Sequence, residues 1–108
     1  FSSPTMSPKC PEESKYKLVE KIEEIFQHKK KNNETIAGQK ILSILTVNGV
    51  RIHLEDGSWG LVRASSNSPN LVVVCESTIS EERMKEIFND INNELMKFNE
   101  IGEYDQKI

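Results

Sequence analysis

The chain has 108 residues, of which 36% are hydrophobic and 29% charged, and its net charge is -3. That length suits one domain with a modest core. The acidic balance argues against a nucleic-acid footprint, which carries a basic excess, and apolar runs such as Leu71 to Cys75 are far too short to span a bilayer. No signal-peptide pattern opens the chain. It begins with Phe1 rather than methionine, and is read as a piece of a longer protein.

Residues 1–11 are rich in Ser and Pro and read as a linker or tail, with residues 1–4 expected to fray. Pro4, Pro8 and Pro11 exclude a helix. A short edge strand near Thr5 to Cys10 stays compatible, because an edge tolerates proline. From Glu13 to about His28, Leu18, Val19, Ile22, Ile25 and Phe26 recur at helical spacing among Glu and Lys. Lys29, Lys30 and Lys31 follow, and cations suit the negative end of a helix. A basic interaction patch is the sharper alternative, and the acidic whole disfavours it.

Asn32 to Gly38 reads as a polar connection. Ile41 to Val47 is apolar and β-branched, and Asn48-Gly49 is a two-residue hairpin signal, since both residues accept positive φ. Val50, Ile52 and Leu54 alternate with Arg51, His53 and Glu55, so one face is expected buried and the other wet. Asp56-Gly57 marks a second hairpin. Ser58 to Arg63 is the next strand, with Trp59 and Leu61 on one face, and Leu71 to Cys75 reads as a strand buried on both faces. Ser80 is the expected N-cap of a second helix, with Glu81 and Glu82 in its first turn. Met84, Ile87, Phe88, Ile91, Leu95 and Phe98 trace its apolar stripe. Residues 102–108 are expected to fray. Two helices with apolar stripes need one face of an antiparallel sheet, so the fold class is an α+β two-layer domain, β-α-β4-α.

Cys10 and Cys75 match no metal spacing and read as reduced, buried thiols, consistent with a cytoplasmic protein. His28 and His53 have no Cys or carboxylate cluster around them and receive no ligand role. There is no nucleophile with a nearby base and no Gly-rich phosphate loop opening a helix.

What remains is the loop inside "GLVRASSNSPNLVVV", residues 60–74. Arg63 ends a strand, so the sheet fixes its position, and its planar guanidinium fits two phosphate oxygens. Ser65, Ser66 and Ser68 carry hydroxyls and Asn67 an amide. Small residues also let backbone N–H groups converge on an anion. Pro69 closes the loop. Ser, Asn and Pro are equally the residues of ordinary turns, so the loop alone leaves both readings open.

The longer run "NGVRIHLEDGSWGLVRASSNSPNLVVVCES", residues 48–77, resembles the C-terminal domain of the α-D-phosphohexomutases, of the phosphomannomutase/phosphoglucomutase type. That domain has a "DGV" turn, a "DG.W.LVR" strand and a phosphate loop of the form R-[PA]-S-[GN]-T-x-P. "PEESKYKLVEKI" is similar to the family's acidic turn into its first helix, and the order of elements resembles the TATA-binding-protein fold. By this resemblance the phosphate-binding residues are Arg63, Ser65, Ser66 and Asn67, although Ser66, Asn67 and Ser68 replace the usual Gly or Asn, Thr, and Glu or Thr.

The resemblance implies an enzyme that interconverts hexose 1-phosphate and hexose 6-phosphate through a phosphoserine and a bisphosphate intermediate. The phosphoserine and magnesium are expected in three other domains of the same chain, with no cofactor, metal or catalytic residue in this one. Its expected ligand is a hexose phosphate, without nucleic acid or membrane. Alternatives are the corresponding domain of phosphoglucosamine mutase, whose loop more often reads R-x-SGTEP, or a stand-alone module binding RNA or a protein.

Overall fold

The computed structural model describes every residue from Phe1 to Ile108. In chain order the elements are α1 (Lys15–Lys31), β1 (Thr35–Ile36), β2 (Gln39–Leu45), β3 (Val50–Leu54), β4 (Trp59–Ala64), β5 (Leu71–Glu76) and α2 (Glu81–Leu95). The strands form one antiparallel sheet in the order β1-β2-β3-β4-β5. Both helices bury their stripes in the same cluster of 20 core residues, which includes Leu18, Ile22 and Phe26 of α1 and Ile87, Phe88 and Ile91 of α2. The domain is therefore two-layered and α+β, as the apolar patterns require.

The hairpin pattern explains the middle of the sheet. Val50, Ile52 and Leu54 are buried, and Arg51 and His53 lie on the opposite face. On that open face the Arg51 guanidinium stacks 3.9 Å from the centre of the Trp59 ring. On the helix face, Gly60 of β4 has no room for a side chain, since a Cβ there would lie 2.5 Å from Ile91 Cδ1. Ser80 caps α2 as its sequence predicts, its hydroxyl accepting the Arg83 backbone N–H at 3.1 Å.

Three expectations shift. Helix α1 starts at Lys15 and runs on through Lys31, so Lys29, Lys30 and Lys31 form its last turn rather than following it. Asn33, with φ 56°, then breaks the helical path. The segment read as a polar connection contains β1, because Ala37 (φ 52°) and Gly38 (φ 74°) make a tight left-handed turn that returns the chain to β2. An alanine there gives no sequence signal. It is held by α2, whose Asp90 carboxylate accepts the Ala37 N–H at 2.7 Å and whose Arg83 donates to the Ala37 carbonyl.

The ends read as frayed are hydrogen-bonded into the domain. The first residues run along the outer edge of β5, as the edge-strand reading of Thr5 to Cys10 anticipates. Met6 and Val73 exchange backbone bonds at 3.0 and 2.7 Å, Ser3 N–H reaches Cys75 O at 2.8 Å, and Ser77 N–H reaches Phe1 O at 2.8 Å. The C-terminal tail covers this segment in turn, through Gly102 N–H to Lys9 O at 2.7 Å and Asp105 N–H to Ser7 O at 3.1 Å. Tyr104 packs edge-on against Phe88, with ring centres 5.6 Å apart. Both cysteines are buried free thiols, and burial pushes the Cys75 thiol up to about 12. No helix is long and apolar enough to cross a membrane.

Candidate functional site

Strand β4 carries the site to its place. Gly60 and Val62 are buried on the core face, and Arg63 comes next, partly exposed. The register of β3 and β4 pairs Val50 with Val62, which sets the Asn48-Gly49 turn beside Arg63. A Cβ on Gly49 would lie 2.5 Å from Arg63 Cβ and 2.6 Å from Val62 O, and its φ is 113°. Only glycine combines that backbone conformation with so close an approach. Arg63 is thus backed by a bare turn.

The guanidinium forms no ion pair, and its one hydrogen bond is a long one, 3.5 Å from Nη1 to Ala64 O. It faces a cleft of about 750 Å³ between α1 and the ends of β2 and β4. Ser66 lines the same cleft, as do Asn48 and Gly49 of the turn and Tyr16, Glu20 and Glu23 of α1. Glu20 is drawn to Lys17 at 3.7 Å, an exposed pair that contributes little. The α1 wall therefore carries negative charge opposite the arginine. An anion in the cleft would sit on the Arg63 side.

The loop after Arg63 is braced from within. Ser65 N–H donates to Asn70 O and Asn70 N–H to Ser68 O, both at 2.9 Å. The Ser65 hydroxyl, in a residue only 7% exposed, donates to Asn67 Oδ1 at 3.2 Å and lies 3.0 Å from the Ser68 hydroxyl. The Ser68 hydroxyl donates to Asn70 Oδ1. From behind, Cys10 N–H reaches Pro69 O at 3.0 Å. None of this bracing uses the backbone N–H groups of Ser66, Asn67 and Ser68, which have no partner in the chain. Ser66 has no positive φ, so its serine sits without strain where a glycine is common in such loops.

Arg63, Ser65, Ser66 and Asn67 are thus gathered within five residues, with different surroundings: Ser66 and Asn67 exposed, Ser65 turned into the loop, Arg63 in the cleft. Two contributors lay outside the sequence reading. Gly49 carried only a hairpin signal, and nothing in the sequence marks its contact with Arg63. Lys15 is wholly buried behind the loop, and nothing in its acidic stretch of sequence marks it as buried.

The family profile described as "Phosphoglucomutase/phosphomannomutase, C-terminal domain" matches residues 8–94. The chain belongs to that family. A phosphopentomutase of Thermococcus kodakarensis is 37% identical over 79 residues, covering 73% of this chain and 16% of the relative. A phosphomannomutase/phosphoglucomutase of Pseudomonas aeruginosa is 33% identical over 92 residues, covering 83% of this chain and 17% of the relative. The chain therefore spans about one sixth of the length of these curated phosphomutases. Within this C-terminal domain no group of three or more His, Cys, Asp or Glu side chains is arranged to hold a metal ion.

Proposed function

We propose that this chain is the substrate-phosphate-binding domain of a phosphohexomutase of the phosphomannomutase/phosphoglucomutase type. One observation carries the reading. A guanidinium with no ion pair and Ser66 line one cleft, and the loop that follows has three successive backbone N–H groups, of Ser66, Asn67 and Ser68, with no partner in the chain. An arginine and a nest of amides are what a phosphate monoester needs: charge, a bidentate fork and short N–H donors.

In the whole enzyme the reaction moves a phosphoryl group between the 1- and 6-oxygens of a hexose. The substrate hydroxyl takes a phosphoryl group from an enzyme phosphoserine, giving a bisphosphate, and after the sugar turns over its other phosphoryl group returns to the serine. Magnesium, when bound, neutralises charge on the transferred group. On this reading the magnesium and the phosphoserine are supplied by other domains of the full-length enzyme. The role of Arg63, Ser66, Asn67 and the loop amides is to grip the phosphate that is not being transferred. Ser65 shapes the loop through its hydroxyl, which donates to Asn67 Oδ1 and lies against the Ser68 hydroxyl. Because the grip is on phosphate, the loop is indifferent to the sugar. The 37% identical phosphopentomutase favours, as a second reading, a pentose phosphate as substrate.

An amide NMR titration of the chain with glucose 6-phosphate, ribose 5-phosphate and unphosphorylated glucose tests this. Shifts confined to Arg63–Asn70, saturating near about 1 mM for both phosphates and absent for glucose, are expected. Shifts centred on Lys29–Lys31, or equal shifts with glucose, would overturn the assignment.

A further inference from the structure

Lysine is among the residues least often fully buried unless it is paired, yet Lys15, the first residue of α1, is 0% exposed. Its ammonium has two partners. Nζ donates to the carbonyl oxygen of Ser68 at 3.0 Å and lies 2.8 Å from Glu12 Oε2. It also stands 5.3 Å from the ring centre of Tyr16, which lines the cleft. The backbone N–H of Lys15 is fixed to Pro11 O at 3.0 Å, so the side chain projects from a defined point at the mouth of α1. Lys15 itself is not in the cleft wall. It sits behind the loop and forms no hydrogen bond with Arg63.

The carbonyl it holds is shared. Ser68 O also accepts the Asn70 N–H, the bond that closes the loop. A second, charge-assisted donor on the same oxygen fixes that peptide more firmly than the neutral bond alone. The amides of Ser66, Asn67 and Ser68 lie just before it in the chain. A short loop of small polar residues has several backbone conformations within reach, and each one lost on binding weakens the ligand. Anchored from behind, the same loop presents its donors ready-made. A buried amine is also an expensive way to fill space, since an apolar side chain of equal length packs without desolvating a charge. Its presence therefore points to its hydrogen bond rather than its bulk.

We propose that Lys15 is a positioning residue: its buried ammonium sets the shape of the loop from Ser65 to Asn70 and so preorganises the phosphate-binding amides. The claim that those amides receive phosphate rests on the functional reading above.

The test compares the chain with Lys15→Met, which keeps the stem and removes the donor, and Lys15→Arg, which keeps a donor. Amide exchange is read first without ligand at Ser65 and Asn70, the two amides bonded within the loop, with β3 and α2 as internal controls. Inorganic phosphate is then titrated. Lys15→Met should speed exchange at Ser65 and Asn70 about tenfold, leave β3 and α2 unchanged and weaken phosphate binding about tenfold, the scale of one lost charge-assisted hydrogen bond. Lys15→Arg should restore most of both. Loop exchange and affinity unchanged in Lys15→Met would overturn the proposal. So would exchange that rises equally across β3 and α2, which would make Lys15 a residue of the fold alone. Arg63→Ala separates the two claims, since it should abolish binding and leave loop exchange as in the parent. A parent chain that takes up no phosphate, while Lys15→Met still loosens the loop, would overturn the phosphate reading and leave the loop-holding role standing.

Discussion

Gly60 and Arg63 lie on the same strand, three residues apart, in opposite surroundings. On the core side of Gly60 there is no room for a side chain: Ile91, Ile87 and Ile52 pack over it, and a methyl group there would collide with Ile91. Around Arg63 one side is filled by the bare Gly49 turn and the other is a cleft with no counter-charge in contact. At the first position shape is complete and nothing is left to bind. At the second a charge is held in place and left unsatisfied. One strand thus joins the part of the molecule that specifies the fold to the part proposed to hold phosphate, so damage to each should be separable.

Phe88→Ala should give the largest effect on the packed side. It removes a ring that is 2% exposed and stacked on Tyr104, and should destabilise the domain by about 3–5 kcal/mol in urea unfolding, with phosphate affinity of the folded fraction unchanged. Gly49→Ala tests the boundary between the regions. At φ 113°, with Arg63 Cβ 2.5 Å away, it should lower stability by about 1–3 kcal/mol and also displace Arg63. Calorimetry and phosphate titration should therefore both change, whereas a drop in the melting temperature alone would show that the turn does not position the arginine. Ser80→Ala, which removes the α2 cap far from the cleft, should cost about 1 kcal/mol and leave binding intact.

The smallest effect concerns the open sheet face. Burial and the neighbouring Arg51 hold the His53 imidazole below its ordinary value of 6.5. The folded state therefore resists protonation more than the unfolded chain does, and below about pH 6.5 the unfolded chain binds more protons. Stability should fall as pH drops through that value and recover above it, and His53→Gln should flatten the slope in melting curves taken from pH 5.5 to 7.5.

Much of this division was legible in the sequence because it rests on local rules. Alternation across residues 50–55 placed β3's buried face correctly, and the Ser80 cap followed from its side chain alone. The loop stood out by its arginine and small polar residues, the resemblance around residues 48–77 pointed to the same positions, and the backbone N–H groups of Ser66, Asn67 and Ser68 have no partner in the chain. The illegible parts depend on contacts distant in the chain. Strand β1 turns on an alanine with positive φ that α2 holds from 53 residues away. The terminal residues looked like tails because single-sequence patterns cannot show that β5 leaves an edge for the first and that the first then supports the last. Lys15 and Ser68 are likewise 53 residues apart, and a lysine in a run of Glu, Ser and Lys gives no sign of burial.

The central claim is that Arg63 holds substrate phosphate and does not hold the fold. The most direct measurement is kcat/KM of the full-length enzyme carrying Arg63→Ala, taken beside its thermal unfolding. Loss of a bidentate, charge-assisted contact predicts a fall of about a hundredfold, with a melting temperature shifted by no more than about 2 °C. Near-normal turnover in the variant would contradict the account.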